Sequence, residues 1–265
     1  YGGSMPSGWV RWLFELQFQF STFEVVYPPQ LDAGNLKAKF DVIIAMDGIP
    51  RPGPVEPPRG GGPPTNLPPE WADKVGTVTA EKTVPQLRKF VEEGGTILAV
   101  GSATNIAYHL DLPVTDQLVE RTTAGTERPL PSEKYFVPGS IVAAKVDTTH
   151  PLAYGLSDTV DLFFSRSPVF KLRADAAARG TNVIAWYGSD KPVRSGWGWG
   201  QSYLAGGLAA VETSLGKGKV LLFGPEITFR GEAHGSFPFF FNGIYYGAAE
   251  LATLGQTARP TTGAQ

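Results

Sequence analysis

Apolar residues near the start of the chain recur at helical steps. Trp9, Trp12, Leu13, Leu16 and Phe20 fall three or four positions apart, which predicts an amphipathic helix over 9–20 with Ser7 as its N-cap. Residues 23–27 read as a short strand stopped by Pro28-Pro29, and 31–38 as a short helix. From Phe40 to Met46 the pattern becomes a continuous apolar run ending in Asp47-Gly48, as expected of a strand covered on both faces of a parallel sheet. Helical spacing returns over 79–93, with Val84, Leu87, Phe90 and Val91 on one face, and Gly94-Gly95 ends it. A second buried strand, 96–100, runs into the small-residue turn Gly101-Ser102-Ala103-Thr104-Asn105 and a short helix to Leu110.

Beyond residue 136 the character changes. Residues 140–146, 169–172, 182–187 and 209–213 are β-like pieces separated by turn signals, and Leu215-Gly216-Lys217-Gly218-Lys219 reads as a hairpin turn. Residues 219–223 form a last core strand followed by Gly224-Pro225-Glu226, and 237–254 a final helix. Residues 50–69 hold nine Pro and four Gly, so 50–70 is expected as an exposed loop insertion. Together these elements predict one domain over 1–255. It is a three-layer α/β/α sheet of flavodoxin-like type with a β-rich portion added at 136–215, and 256–265 is a disordered tail. Tyr1-Gly2-Gly3-Ser4 leads into a helix as a βα loop does. A strand is therefore expected immediately before Tyr1, and its absence is expected to leave a gap in the sheet.

Composition removes whole classes of chemistry. The 265 residues carry 23 Lys+Arg against 25 Asp+Glu, a net charge of -2, with no basic run, so nucleic acid is not an expected partner. With no cysteine there is no disulfide, thiolate nucleophile or Cys-type metal site. The three histidines, His109, His150 and His234, form neither HExxH nor HxxE, so no metal and no cofactor is expected in this chain. No stretch has the ~20 mostly apolar residues of a membrane-spanning helix, and the first residues lack the basic and apolar regions of a signal peptide.

The turn 101–105 admits two interpretations. A phosphate loop is rejected, because only Gly101 is present and no Lys follows. A nucleophile elbow would use Ser102, with His234 after the last strand as base, although the G-x-S-x-G pattern is not matched. Alternatively Ser102 caps the helix that follows. Glu226, Arg230, Glu232 and His234 follow the last strand, where open α/β sheets bind ligands. His150, before Pro151, is read as a loop residue holding a turn. Trp197, Trp199 and Tyr203 either stack on a sugar or peptide or pack at a sheet edge or against another domain.

The order of elements resembles the class I glutamine amidotransferase fold. That family's elbow reads strand-G-V-C-L-G-H-Q, and its His and Glu come from a later F-H-P-E. Alignment without gaps puts Gly101 at the cysteine and Gly224 at the histidine, and only Glu226 persists. A shift of one residue would put Ser102 at the nucleophile without restoring the histidine. A resemblance over nearly the whole chain is to the amidotransferase-like domain found C-terminal to M14-type zinc carboxypeptidase domains in bacteria. It rests on Tyr1–Trp9, Leu31–Leu36, Thr149-His150-Pro151-Leu152-Ala153-Tyr154-Gly155, Gly216–Val220, and His234-Gly235-Ser236-Phe237 through Asn242. It implies a non-catalytic accessory domain, secreted or periplasmic, whose partner is an upstream carboxypeptidase domain. Zinc and peptidase activity would belong to that upstream domain. Ser102, His234 and Glu226 remain the catalytic candidates of a rival serine-type hydrolase. Arg230, Trp197 and Trp199 are the candidate contacts of a carbohydrate- or peptide-binding module.

Overall fold

The computed structural model describes residues 4–53, 67–123 and 125–249. Most of the expected Pro/Gly-rich loop, the end of the expected last helix and the expected tail lie outside the described residues. The first helix, α1 (Met5–Trp12), starts earlier than its apolar pattern suggested. Ser4, not Ser7, is its N-cap, with the Ser4 hydroxyl accepting the Ser7 N–H at 3.3 Å. It continues as a π turn over Leu13–Gln17. The wider turn rotates the apolar stripe, so Val10, Leu13 and Phe14 are buried while Trp12 and Leu16 are 44% and 66% exposed. The expected strand at 23–27 does not form, because that segment has no ladder partner. The two prolines thought to stop it instead open α2 (Pro28–Asp32), where their missing N–H groups are not needed.

Strands β1 (Val42–Ala45), β2 (Thr96–Val100), β3 (Val114–Asp116), β4 (Val119–Arg121) and β5 (Glu127–Pro129) come next, with α3 (Thr83–Glu92) before β2 and α4 (Ile106–His109) after it. They are followed by β6 (Phe136–Val146), β7 (Thr159–Phe164), β8 (Phe170–Leu172), β9 (Thr181–Trp186), β10 (Val193–Trp199), β11 (Leu208–Leu215) and β12 (Gly218–Phe223), and α5 (Phe237–Ala248) comes last. The fold is mixed α/β. Ten strands form one sheet whose main path is β1-β2-β12-β11-β9-β6-β10, and β4 and β5 pair separately. Pairing is parallel between β1, β2 and β12 and antiparallel elsewhere. The gap expected beside the first strand is not observed among the described residues. β1 pairs with β2 over four residues, Val42↔Thr96 to Ala45↔Ala99, and occupies the sheet edge.

Alternation along β2 and β12 sets two cores. Leu98, Val100, Leu221 and Phe223 face α1 and α5, in one cluster with Phe14, Phe239 and Phe240. Ile97, Ala99, Val220 and Leu222 face the opposite way, against Leu87 and Phe90 of α3 and Ile106 and Ala107 of α4. The strands expected as an added portion belong to the same sheet, and Val142, Leu162 and Ile184 share the first cluster with α1 and α5. Parallel strands covered on both faces direct the carboxyl ends of β1, β2 and β12 toward one place.

Candidate functional site

At that place lies a cavity of about 750 Å³. Its wall includes Met46 and Asp47 after β1, Gly101 and Ser102 after β2, and Gly224 and Glu226 after β12. The segment after β1 is fastened to the turn after β2: Asn105 Nδ2 donates to the Ile49 carbonyl at 3.0 Å, and His109 Nε2 lies 2.7 Å from the Pro50 carbonyl. Arg51 then reaches across to Asp116 of β3 at 2.6 Å, so its charge is neutralised within the wall.

Gly101 has φ +59, the left-handed backbone of a sharp strand-to-helix turn. A Cβ built there would lie 3.8 Å from Glu226 Cγ, an ordinary contact, so the elbow shape persists with no side chain on it. Gly224 is different. A Cβ there would come within 2.0 Å of the Pro168 carbonyl oxygen, so the position aligned with the amidotransferase histidine is closed to any side chain. Glu226 is half-buried, and its Oε2 has no hydrogen-bond partner. Burial, with the Asp47 charge adding to it, raises its carboxyl above the ordinary glutamate value.

Ser102 does not cap a helix. It lies inside a 3₁₀ turn, Gly101–Asn105, and its hydroxyl donates to Asp47 Oδ1 at 2.6 Å. His234 is elsewhere, lining a second cavity with Phe18, Phe20 and Phe237, its ring 5.0 Å from that of Phe237. Ser102 and His234 are therefore not brought together. Arg230 lies outside the first cavity at φ +51, its guanidinium 5.2 Å from the centroid of the Phe229 ring. Trp197 and Trp199 stand on the edge strand β10, 58% and 55% exposed. Trp197 meets Phe136 edge-on at 6.2 Å, and the Trp199 indole donates to the Glu133 carbonyl at 2.7 Å. Among the described residues no three His, Asp or Glu side chains gather as metal ligands, and no helix is long and apolar enough to cross a membrane.

His150 holds the turn as expected, its Nδ1 accepting the Leu152 N–H at 3.2 Å. It also faces a buried group. Its Nε2 is 3.6 Å from Glu212 Oε2, too long for a hydrogen bond, and its ring meets Tyr246 edge-on. Burial, with repulsion from Lys219 adding to it, outweighs the attraction of Glu212 and Asp147 and holds His150 below its ordinary value. A histidine buried neutral favours the folded state above its unfolded pKa of about 6.5 and loses that advantage as pH falls toward the lower folded value. Melting curves at pH 7.5 and pH 5.5, both set to bracket that range of about 6.5, should show the native chain losing more stability on acidification than His150→Gln. Equal losses in both proteins would contradict this.

The sequence pointed to the carboxyl ends of the strands but not to Asp47, Tyr135 or Arg166 as members of the site. Asp47 carried a visible signal, since it ends an apolar run. Tyr135 and Arg166 sit in loops distant in sequence from the parallel strands, and only the fold brings them to the cavity.

No protein-family model matches the chain, and no curated protein matches it. Solved structures do. A β-galactosidase from Bacillus circulans sp. alkalophilus matches with TM-score 0.40 and 12% identity over 80% of this chain, which spans 22% of that enzyme's length. A ThuA-like protein from Bacteroides uniformis matches with TM-score 0.39 and 11% identity, over 84% of this chain and 72% of that one. Over 93% of its length the chain shares its fold, at 12% identity and TM-score 0.51, with 90% of a Thermoplasma acidophilum protein assigned as a GMP synthase component.

Proposed function

We propose that the chain is a non-catalytic, amidotransferase-like domain of flavodoxin-like type, carrying a β-rich addition, that serves as an accessory domain of an M14-like zinc metallocarboxypeptidase. The observation that carries the non-catalytic part is the pair of glycines at the site. Gly101 keeps the elbow backbone without a nucleophile, and Gly224 is packed so closely on Pro168 that no base fits. With no cysteine in the chain, a thiolate route to amidotransfer has neither of its reacting groups. The accessory role, the exported location and zinc in a separate domain rest on the motifs from Tyr1–Trp9 to His234–Asn242.

Ser102 gives little support to the hydrolase alternative, because its hydroxyl faces a carboxylate and His234 lines another cavity. A general base must lie within hydrogen-bond or single-water reach of the proton it takes. The purified chain is expected to release no ammonia from glutamine and to take up no fluorophosphonate label. Ammonia release, or a label lost in Ser102→Ala, would overturn the non-catalytic reading. For the accessory role, the reading frame upstream of Tyr1 is expected to encode a carboxypeptidase zinc motif. A frame encoding an unrelated domain would remove it.

A further inference from the structure

The cavity at the ends of β1, β2 and β12 keeps polar groups that nothing in the fold satisfies. Tyr135 is 8% exposed, lines the cavity, and its hydroxyl has no hydrogen-bond partner. Glu226 Oε2, in the same wall, has none either. Buried polar atoms are nearly always paired, because stranding one costs about 1–3 kcal/mol. Both side chains line one cavity, and a polar ligand toward which these covered atoms turned would give them partners.

Arg166 supplies the charge. It lines the same cavity at φ +49, a left-handed backbone that is uncommon for a side chain of this size. Arg166 is exposed, and among the described residues its guanidinium has no ion pair or hydrogen bond, only the face of Phe136 at 5.2 Å. The other arginine of the wall, Arg51, is already neutralised by Asp116. Asp47 and Glu226 in the same wall offset the Arg166 cation, so an anion is held only by direct contact with the guanidinium and a phosphate dianion is disfavoured. Ser102, Ser132, Ser165 and Ser167 also line it, each hydroxyl already in one hydrogen bond of the fold, while Leu118 and Leu130 offer apolar surface for C–H faces. The volume is that of a small-molecule site.

We propose that this cavity binds a small hydroxylated carboxylic acid of the sugar-acid class, its carboxylate on Arg166 and its hydroxyls on Tyr135 and Glu226. Neither an upstream peptidase domain nor catalysis at Ser102 is needed for this. Glu226 Oε2 accepts a hydrogen bond from a ligand hydroxyl whichever way the rest of the carboxyl is occupied, which is the partner it lacks in the fold.

Titration calorimetry of the whole chain with D-glucuronate, D-glucose and acetate tests it. Saturable binding of glucuronate is expected, with glucose and acetate at least about tenfold weaker, because each lacks half of the recognised groups. Arg166→Gln should weaken glucuronate binding by at least about tenfold. If that variant misfolds, Arg166→Gly suits the left-handed backbone and should show the same loss. Tyr135→Phe should also weaken binding, without lowering the melting temperature of the free protein, since the hydroxyl it removes has no partner to lose. No saturable binding of glucuronate up to about 10 mM, well above the millimolar range of a weak site, would overturn the proposal. Glucose binding as tightly as glucuronate, or affinity unchanged in both Arg166 variants, would do so equally.

Discussion

Gly224→His, which restores the residue amidotransfer would need, is expected to destabilise the protein by more than about 4 kcal/mol and to yield no activity. The cause is the first side-chain atom. A Cβ at this position lies 2.0 Å from the Pro168 carbonyl oxygen, a backbone atom that cannot rotate away. Gly224 is also bonded from its own N–H to the Ala209 carbonyl at 2.9 Å, so the end of β12 cannot retreat without breaking its pairing with β11. Gly224→Ala should therefore lose much of the same stability, whereas Gly101→Ala is limited to the cost of a left-handed backbone, about 1–2 kcal/mol. Urea denaturation of the three variants measures this ordering. A Gly224→His protein with an unchanged midpoint would show that the Pro168 segment yields, and would reopen the site to base chemistry.

Phe14→Ala is expected to cost about 3–5 kcal/mol, the usual range for removing a buried aromatic ring. Phe14 is 2% exposed, and its ring lies 5.0 Å from those of Phe20 and Phe23 and 5.7 Å from that of Phe240 on α5. Its site cannot collapse easily, because β2 and β12 form a rigid floor beneath it through Leu98 and Leu221. The segment 13–27 contains no strand and no ladder bonds, and the rings of Phe14 and Phe18 hold it to Phe237, Phe240 and Phe241 of α5. Limited proteolysis should cut there faster in the variant, alongside the lowered denaturation midpoint. Leu16→Ala, on an exposed neighbour in the same turn, should change stability by no more than about 0.5 kcal/mol.

The continuous apolar runs at 42–46, 97–100 and 220–223 dictated parallel strands, because a sequence that is apolar at every position can be stable only when both faces are covered. The helical stripe Val84, Leu87, Phe90 and Val91 determined α3 in the same way, and three of these four side chains are at most 3% exposed. Zero cysteines and the glycines at 101 and 224 removed thiolate chemistry by themselves. Shorter or interrupted strands were not legible. β10 is punctuated by Gly196 and Gly198, and the three residues of β3 give too short a pattern to read, whereas β8 falls within the piece read at 169–172. Phe23–Tyr27 has strand-forming residues but no neighbour, and a strand exists only when another strand satisfies its backbone. The site divides along the same line. Gly101, Ser102, Gly224 and Glu226 were legible because each closely follows a strand that its own residues specify. Tyr135, Arg166 and the closure of Gly224 by Pro168 were decided only by the tertiary structure, since contacts between segments tens of residues apart depend on how the strands pair, and local pattern carries no record of that pairing.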